Sequence, residues 1–258
     1  MCEVGMNEEL LWRITTFFNY WRERYAFIRS LDFVKYFHEA NVLLWASLDA
    51  LSTLWAKNIG KEYCGKIRQR RIFDAFLTRY GGDLFQLISL PDVWDRVDKG
   101  DMFTNQERTL KLPNDICIFL EKVGGRRTPT FKEERQNRSS SNDWSIDRII
   151  TEAMEKYPGT NRNELKEWLV LSRYGAIAYK TMRSSYIHEG QAGRATHSFK
   201  LHGFEIQPTY RSALYHTPPI IGFSIEFMLR VLGCCIHAFE ADALALQKDP
   251  APVRSLLS

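Results

Sequence analysis

Apolar residues recur at steps of three and four along most of the chain, the spacing of an amphipathic helix. In the first such segment the stripe runs Leu11, Ile14, Phe18, Trp21, Tyr25 and Ile28. The second, LDFVKYFHEANVLLWASLDALSTLWAK, carries Val34, Phe37, Asn41, Leu44, Leu48, Leu51 and Trp55. Neither segment contains Gly or Pro, so two long helices are predicted. A third is predicted in KIRQRRIFDAFLTRYGG, with Ile72, Phe73, Phe76 and Leu77 inward and Gly81–Gly82 as its stop. Pro91 and Pro113 suit first-turn positions, which predicts shorter helices near 91–99 and 113–123.

The pattern breaks over 124–143, GGRRTPTFKEERQNRSSSND, which is polar and reads as a linker or loop. Helical spacing resumes in WSIDRIITEAMEKY and closes at Pro158–Gly159. NRNELKEWLVLSRYGAIAYKTMRSSYIHE is then expected to run almost unbroken as helix. Residues 191–217 are irregular, with HSFKLHGFEIQ alternating in the manner of a short β-hairpin. A last helix is predicted from about Pro219 to Leu246. The expectation is one all-α domain over 1–258. It is a helical bundle with two irregular insertions, at about 100–143 and 191–217, the second holding the hairpin.

Composition narrows this picture only modestly. A chain of 258 residues, 45% apolar and 13% aromatic, can bury a substantial core. The opening MCEVGMNEELLW places two glutamates before any apolar run, so no secretory leader is expected there. The most apolar late stretch carries Glu226 and Arg230, which argues against a membrane span. The five cysteines have no C-x-x-C pair, and Cys234 and Cys235 read as small apolar fillers. A cytoplasmic protein is expected. The net charge of +4 permits a nucleic-acid partner without demanding one.

Candidate chemistry is sparse. No phosphate-binding glycine loop, dinucleotide fingerprint or H-E-x-x-H metal motif is present. His38, in Phe37-His38-Glu39, reads as a helix-flank residue, and His197 and His202 as solvated loop residues. RSSYIHEG is different: Arg183 and His188 form R-x-x-x-x-H just before Gly190. At about 100° per residue, the two side chains leave one helix about 140° apart. Arg183 borders an apolar stripe marked by Tyr179, Met182 and Tyr186, where an unpaired charge is expensive. Asp49 is the candidate anionic partner. With Trp45 and Ser52 it forms a polar-tipped line on the second helix, although on spacing alone it also reads as an exposed carboxylate.

W-A-S-L-D-A-L on an early helix, followed by Y-K-T-M-R-S-S-Y-I-H-E-G on a later one, resembles the HEPN superfamily. Within it the Apea-like branch pairs a W-x-x-L-E-A-L helix with an R-S-x-x-x-H-x-G segment. The resemblance implies a helical bundle that dimerises and sets two copies of R-x-x-x-x-H across one interface. Many relatives are metal-independent ribonucleases, often toxins or antiviral effectors. Carried over by position, Arg183 and His188 are the catalytic pair, with Asp49, Ser184, Ser185 and Tyr186 in support. Asp49 stands where the family often has Glu, and Ser184 where active relatives carry Asn, Asp or His. Gly190 replaces the tyrosine of toxins controlled by a nucleotidyltransferase antitoxin.

The reaction so implied is attack of a ribose 2′-OH on the adjacent phosphodiester, with no metal or cofactor. A histidine can serve in either proton role near neutral pH. The arginine holds phosphate oxygens. Single-stranded RNA is the expected substrate, since its backbone can reach in-line geometry. Lys66, Arg68, Arg70 and Arg71 in GKIRQRR are candidate guides for it, or simply a solvated face. Two other readings stay open: a module of the same fold that binds RNA or a nucleotide without cleavage, and a structural or regulatory helical dimer.

Overall fold

The computed structural model describes residues 7–64, 68–100, 103–104, 109–125, 140–193, 196–198, 209–213 and 216–251. Its frame is an all-α bundle. Helix α1 (Glu8–Ser30) starts at Asn7, whose side chain accepts the Glu9 N–H at 2.9 Å. It buries Ile14, Phe17, Phe18, Trp21 and Ile28, whereas Leu11 of the predicted stripe is 44% exposed. Helix α2 (Phe37–Lys57) begins later than its pattern indicated. Asp32 accepts the Val34 N–H at 2.9 Å, and this side-chain turn holds 32–36 out of the helix. Val34 is therefore 95% exposed rather than part of the stripe.

A short α3 (Lys61–Cys64) leads to α4 (Gln69–Tyr80), which ends at Gly81 as its sequence predicts. The last helix, α11 (Ile225–Ala245), packs along α1, α2 and α4. These elements enclose the main core, in which Trp45, Trp55, Phe73, Phe76 and Phe239 are fully buried.

A second core lies beside it. Helices α5 (Leu90–Asp98), α6 (Asn114–Lys122), α7 (Ile146–Lys156) and α8 (Arg162–Leu169) converge on Leu90, Ile116, Leu120, Ile149, Ile150 and Trp168. The expected insertion at 100–143 is thus partly core, because Ile116 and Leu120 stand one helical turn apart and face inward. Most of the expected linker at 124–143 lies outside the described residues. Its end is ordered: Asp143 is buried, accepts the Leu90 N–H at 3.2 Å, and takes a hydrogen bond from the Tyr174 hydroxyl.

The strands are small. β1 (Leu87–Ile88) pairs antiparallel with β4 (Trp144–Ser145), and β2 (Phe103–Thr104) with β3 (Thr109–Leu110). β5 (Thr196–His197), β6 (Thr209–Ala213) and β7 (His216–Gly222) form a three-stranded sheet in the order β5-β7-β6. β6 and β7 form a hairpin, and the one expected in HSFKLHGFEIQ lies outside the described residues apart from His197 and Ser198. Pro219 belongs to β7, and α11 starts at Ile225, where the Ser224 hydroxyl caps the Phe227 N–H at 3.3 Å. Among the described residues no helix is long and apolar enough to cross a membrane.

Candidate functional site

The segment 161–189, expected as nearly one helix, is built in pieces. α8 passes through a tight turn at Val170–Ser172 and stops at Arg173, whose φ and ψ are −65° and 149°. α9 (Tyr174–Ala178) follows, then a wide π turn over Tyr179–Arg183, then α10 (Ser184–Glu189). Across the π turn the Ser184 N–H bonds to the Tyr179 carbonyl, five residues back. Such one-turn insertions re-aim the side chains that follow and are common at functional sites. Arg183 is its last residue.

The break has a tertiary cause. Arg173 forms an ion pair with Asp74 of α4, a residue that is fully buried. Burial pushes the Asp74 carboxyl up to about 6, against the opposing pull of Arg173. One helical turn earlier, Arg70 donates to the carbonyls of Ala176 at 3.1 Å and Leu171 at 2.8 Å. Phe73 meets the Tyr179 ring with centroids 5.5 Å apart. Gly175 lets the two chains approach, since a Cβ there would sit 2.8 Å from Asp74 Oδ1. α4 therefore acts as the jig against which the Arg183 segment is set.

Arg183 Nη2 donates to Asp49 Oδ2 of α2 at 2.6 Å, with side chains 16% and 18% exposed. Its guanidinium lies over the Tyr179 ring, 4.9 Å from the centroid. Burial raises the Tyr179 phenol, Arg183 opposes that shift, and Asp49 adds to it. Asp49 is held in turn. Its Oδ1 lies 3.4 Å from Gln69 Nε2, which also donates to Thr53 Oγ1 at 2.6 Å. Ser52 and Thr53 both donate to the Asp49 carbonyl. Trp45 is absent from this polar line: its indole is fully buried in the main core.

One edge of Arg183 is uncommitted. Its Nε–H is buried without a hydrogen-bond partner, and Nη1 has none among the described residues. A buried unpaired donor on a charged group is costly, which makes this edge a natural seat for an anionic oxygen. His188, on α10, is exposed and makes no hydrogen bond or ion pair among the described residues. Ser184 and Ser185 are half-buried, and Tyr186 is buried with its hydroxyl 2.5 Å from Ser198 Oγ. α10 closes at Gly190, in the left-handed conformation at φ 69°, with its N–H on the Tyr186 carbonyl. The Gly190 carbonyl lies 3.2 Å from His38 Nδ1. A carbonyl only accepts, so that nitrogen carries the proton.

Arg183 and Asp49 are thus brought together, whereas His188 is exposed on α10 and makes no hydrogen bond to either among the described residues. The proposed guides divide. Arg68 is exposed, and Lys66 lies outside the described residues. Arg70 is committed to the two carbonyls, and Arg71 to Glu167 at 2.5 Å, so neither presents a free guanidinium to a strand of RNA. His202 lies outside the described residues and the side chain of His197 is not described. Gln69 and Tyr179 were missed as partners of the site. Gln69 stands one turn before Phe73, the only hint in the sequence that it faces inward.

No protein-family model, curated protein or solved structure matches the chain.

Proposed function

We propose that the chain is a metal-independent endoribonuclease of the HEPN type, cleaving single-stranded RNA at a site shared by two copies. The observation that carries this reading is the Arg183–Asp49 pair, 2.6 Å apart, whose guanidinium keeps Nε and Nη1 without a hydrogen-bond partner among the described residues. Asp49, Gln69 and Tyr179 fix the arginine before substrate arrives, which is what electrostatic stabilisation of a crowded phosphorane requires.

In the reaction, a neutral histidine takes the 2′-OH proton as O2′ attacks phosphorus. The P–O5′ bond breaks, and the same histidine, now protonated, gives that proton to O5′. The products are a 2′,3′-cyclic phosphate and a free 5′-hydroxyl. Arg183 donates to the nonbridging oxygens throughout. On an ideal helix Arg183 and His188 of one chain lie about 140° apart, so this reading draws the histidine at a given arginine from the second copy. An enzyme of this kind acts on cytoplasmic RNA as a toxin or antiviral effector, and is restrained by a partner protein until needed.

A second reading has its own support. His188 has no residue orienting its imidazole among the described residues, and a proton-transfer histidine is commonly held by one. On this reading the dimer binds RNA or a nucleotide without cutting it. Incubation of end-labelled single-stranded RNA with EDTA separates the two. Cleavage to 2′,3′-cyclic ends, abolished by His188→Ala, supports the enzyme; a salt-sensitive gel shift without products supports the binding module.

A further inference from the structure

The outer face of α1 carries three large exposed rings. Trp12, Tyr20 and Phe27 are 67%, 53% and 56% exposed, while the opposite side of the helix is packed into the main core. At about 100° per residue the three rings fall within an arc of about 80°. Thr16 and Glu23 lie between them on the same strip, and both are exposed.

We infer that this strip is a homotypic contact, on which a second copy of the chain lays its own α1 antiparallel. The strip is self-complementary about a two-fold axis placed between Asn19 and Tyr20. That axis sets Trp12 against Phe27 of the second copy. It also sets Thr16 against the second copy's Glu23, where a hydroxyl can donate to a carboxylate. The charges agree with this direction. Glu8 and Glu9 occupy the first turn and Arg29 the last, so antiparallel pairing brings each acidic end to a basic one. Glu8 and Arg29 stand on the same side of the strip, and neither has an ion-pair partner among the described residues.

Nucleic acid also stacks on exposed aromatic rings. Here the charged residues within the arc are Glu9 and Glu23, which repel a polyanion, and the neighbouring Arg24 is already bonded to Ser47 and the Tyr20 hydroxyl, so a second copy is the better fit. The contact is narrow. A strip about 35 Å long and about 10 Å wide is smaller than the roughly 800 Å² per partner of a standard interface. The association is accordingly reversible and concentration-dependent.

This surface is separate from the Arg183 site. Arg24 of α1 donates to Ser47 of α2 at 3.0 Å, whereas Arg183 donates to Asp49. Residues two apart on a helix point about 200° apart, so α1 and Arg183 flank different sides of α2. A chain that pairs through both surfaces assembles beyond a dimer, and closes into a tetramer with dihedral symmetry where the two two-fold axes cross at right angles.

Sedimentation velocity across a wide concentration range tests the contact. Trp12→Glu with Phe27→Glu should halve the mass of the associated species and leave RNA cleavage at the wild-type level. Glu8→Arg should weaken association roughly tenfold, and adding Arg29→Glu should restore it, a rescue that misfolding cannot imitate. A monomer at every concentration, an unchanged mass in the aromatic variant, or charge reversal without rescue would each overturn the inference. So would loss of RNA binding in the aromatic variant at unchanged mass, which would give the strip to nucleic acid.

Discussion

Arg183 and Asp49 close a 2.6 Å ion pair between positions 134 residues apart in the chain. The pair ties the π turn to the middle of α2 and fixes where the guanidinium points. Both side chains are under one-fifth exposed, so neither can lose its partner and simply turn to water.

Replacing Asp49 with Ala should therefore cost about 1.5–3 kcal/mol, the range for a hydrogen bond to a charged group. For a domain of this size that is a drop of roughly 3–12 °C in Tm. Asp49→Glu keeps the charge and should recover most of the loss. Calorimetry on the three proteins checks this, and an Asp49→Ala variant as stable as wild type would show the pair to be incidental.

Asp74 gives a pH signature. Its carboxyl is pushed up to about 6 by burial, well above the unfolded value near 4. The folded chain thus holds that proton more tightly than the unfolded chain. The group's contribution to stability is full below about pH 4 and is lost as the pH rises through about 6. Asp74→Asn removes this titration. Wild-type stability minus variant stability should fall across that window, by at most about 3 kcal/mol for a two-unit shift, and stay level above it. Urea midpoints at closely spaced pH values measure it; a difference that climbs from pH 4 to 6 would contradict the assignment.

Gly193 abuts the π turn. Its N–H donates to the Thr181 carbonyl at 2.8 Å, and a Cβ there would fall 2.6 Å from the same oxygen. Backbone must move to admit it. Gly193→Ala should destabilise by about 1–3 kcal/mol, as overpacking does. Gly159→Ala, where a Cβ meets nothing within 4 Å, should leave the Tm nearly unchanged. Equal effects from the two would remove the loop's claim to support the site.

Arg68 and Arg70 differ in kind. Arg70→Ala should lose about 1.5–3 kcal/mol through its two carbonyl bonds, with its effect on RNA following from that loss. Arg68→Ala should change stability by less than about 0.5 kcal/mol. If Arg68 guides RNA, its removal lowers the salt slope of binding by about one counterion.

Much of the bundle was legible because its signals are local. The stripes of α1, α2 and α4, the early proline of α5 and the glycine stop of α4 all act within a turn or two. The break at Arg173 was not legible, since its cause is Asp74, 99 residues away, while the apolar spacing of 161–189 reads straight through. The same holds for Arg70, whose charge looked solvent-bound until two distant carbonyls claimed it. Val34 fits a helical stripe by spacing, yet the Asp32 side chain turns the backbone first. At the site, the partnership of Arg183 with Asp49 was open to inference from charge and the apolar edge. Gln69 and the π turn follow from packing alone.

Mixing two inactive variants asks whether Arg183 of one copy works with His188 of another. Arg183→Lys and His188→Ala should each fail to cleave single-stranded RNA in EDTA. Combined in equal amounts and allowed to exchange, they should recover about a quarter of wild-type activity, the share expected when half the dimers are mixed and each holds one intact trans pair. A mixture as inactive as its parents, beside an active wild type, would contradict the shared site. A wild type that leaves the RNA whole would remove the nuclease itself.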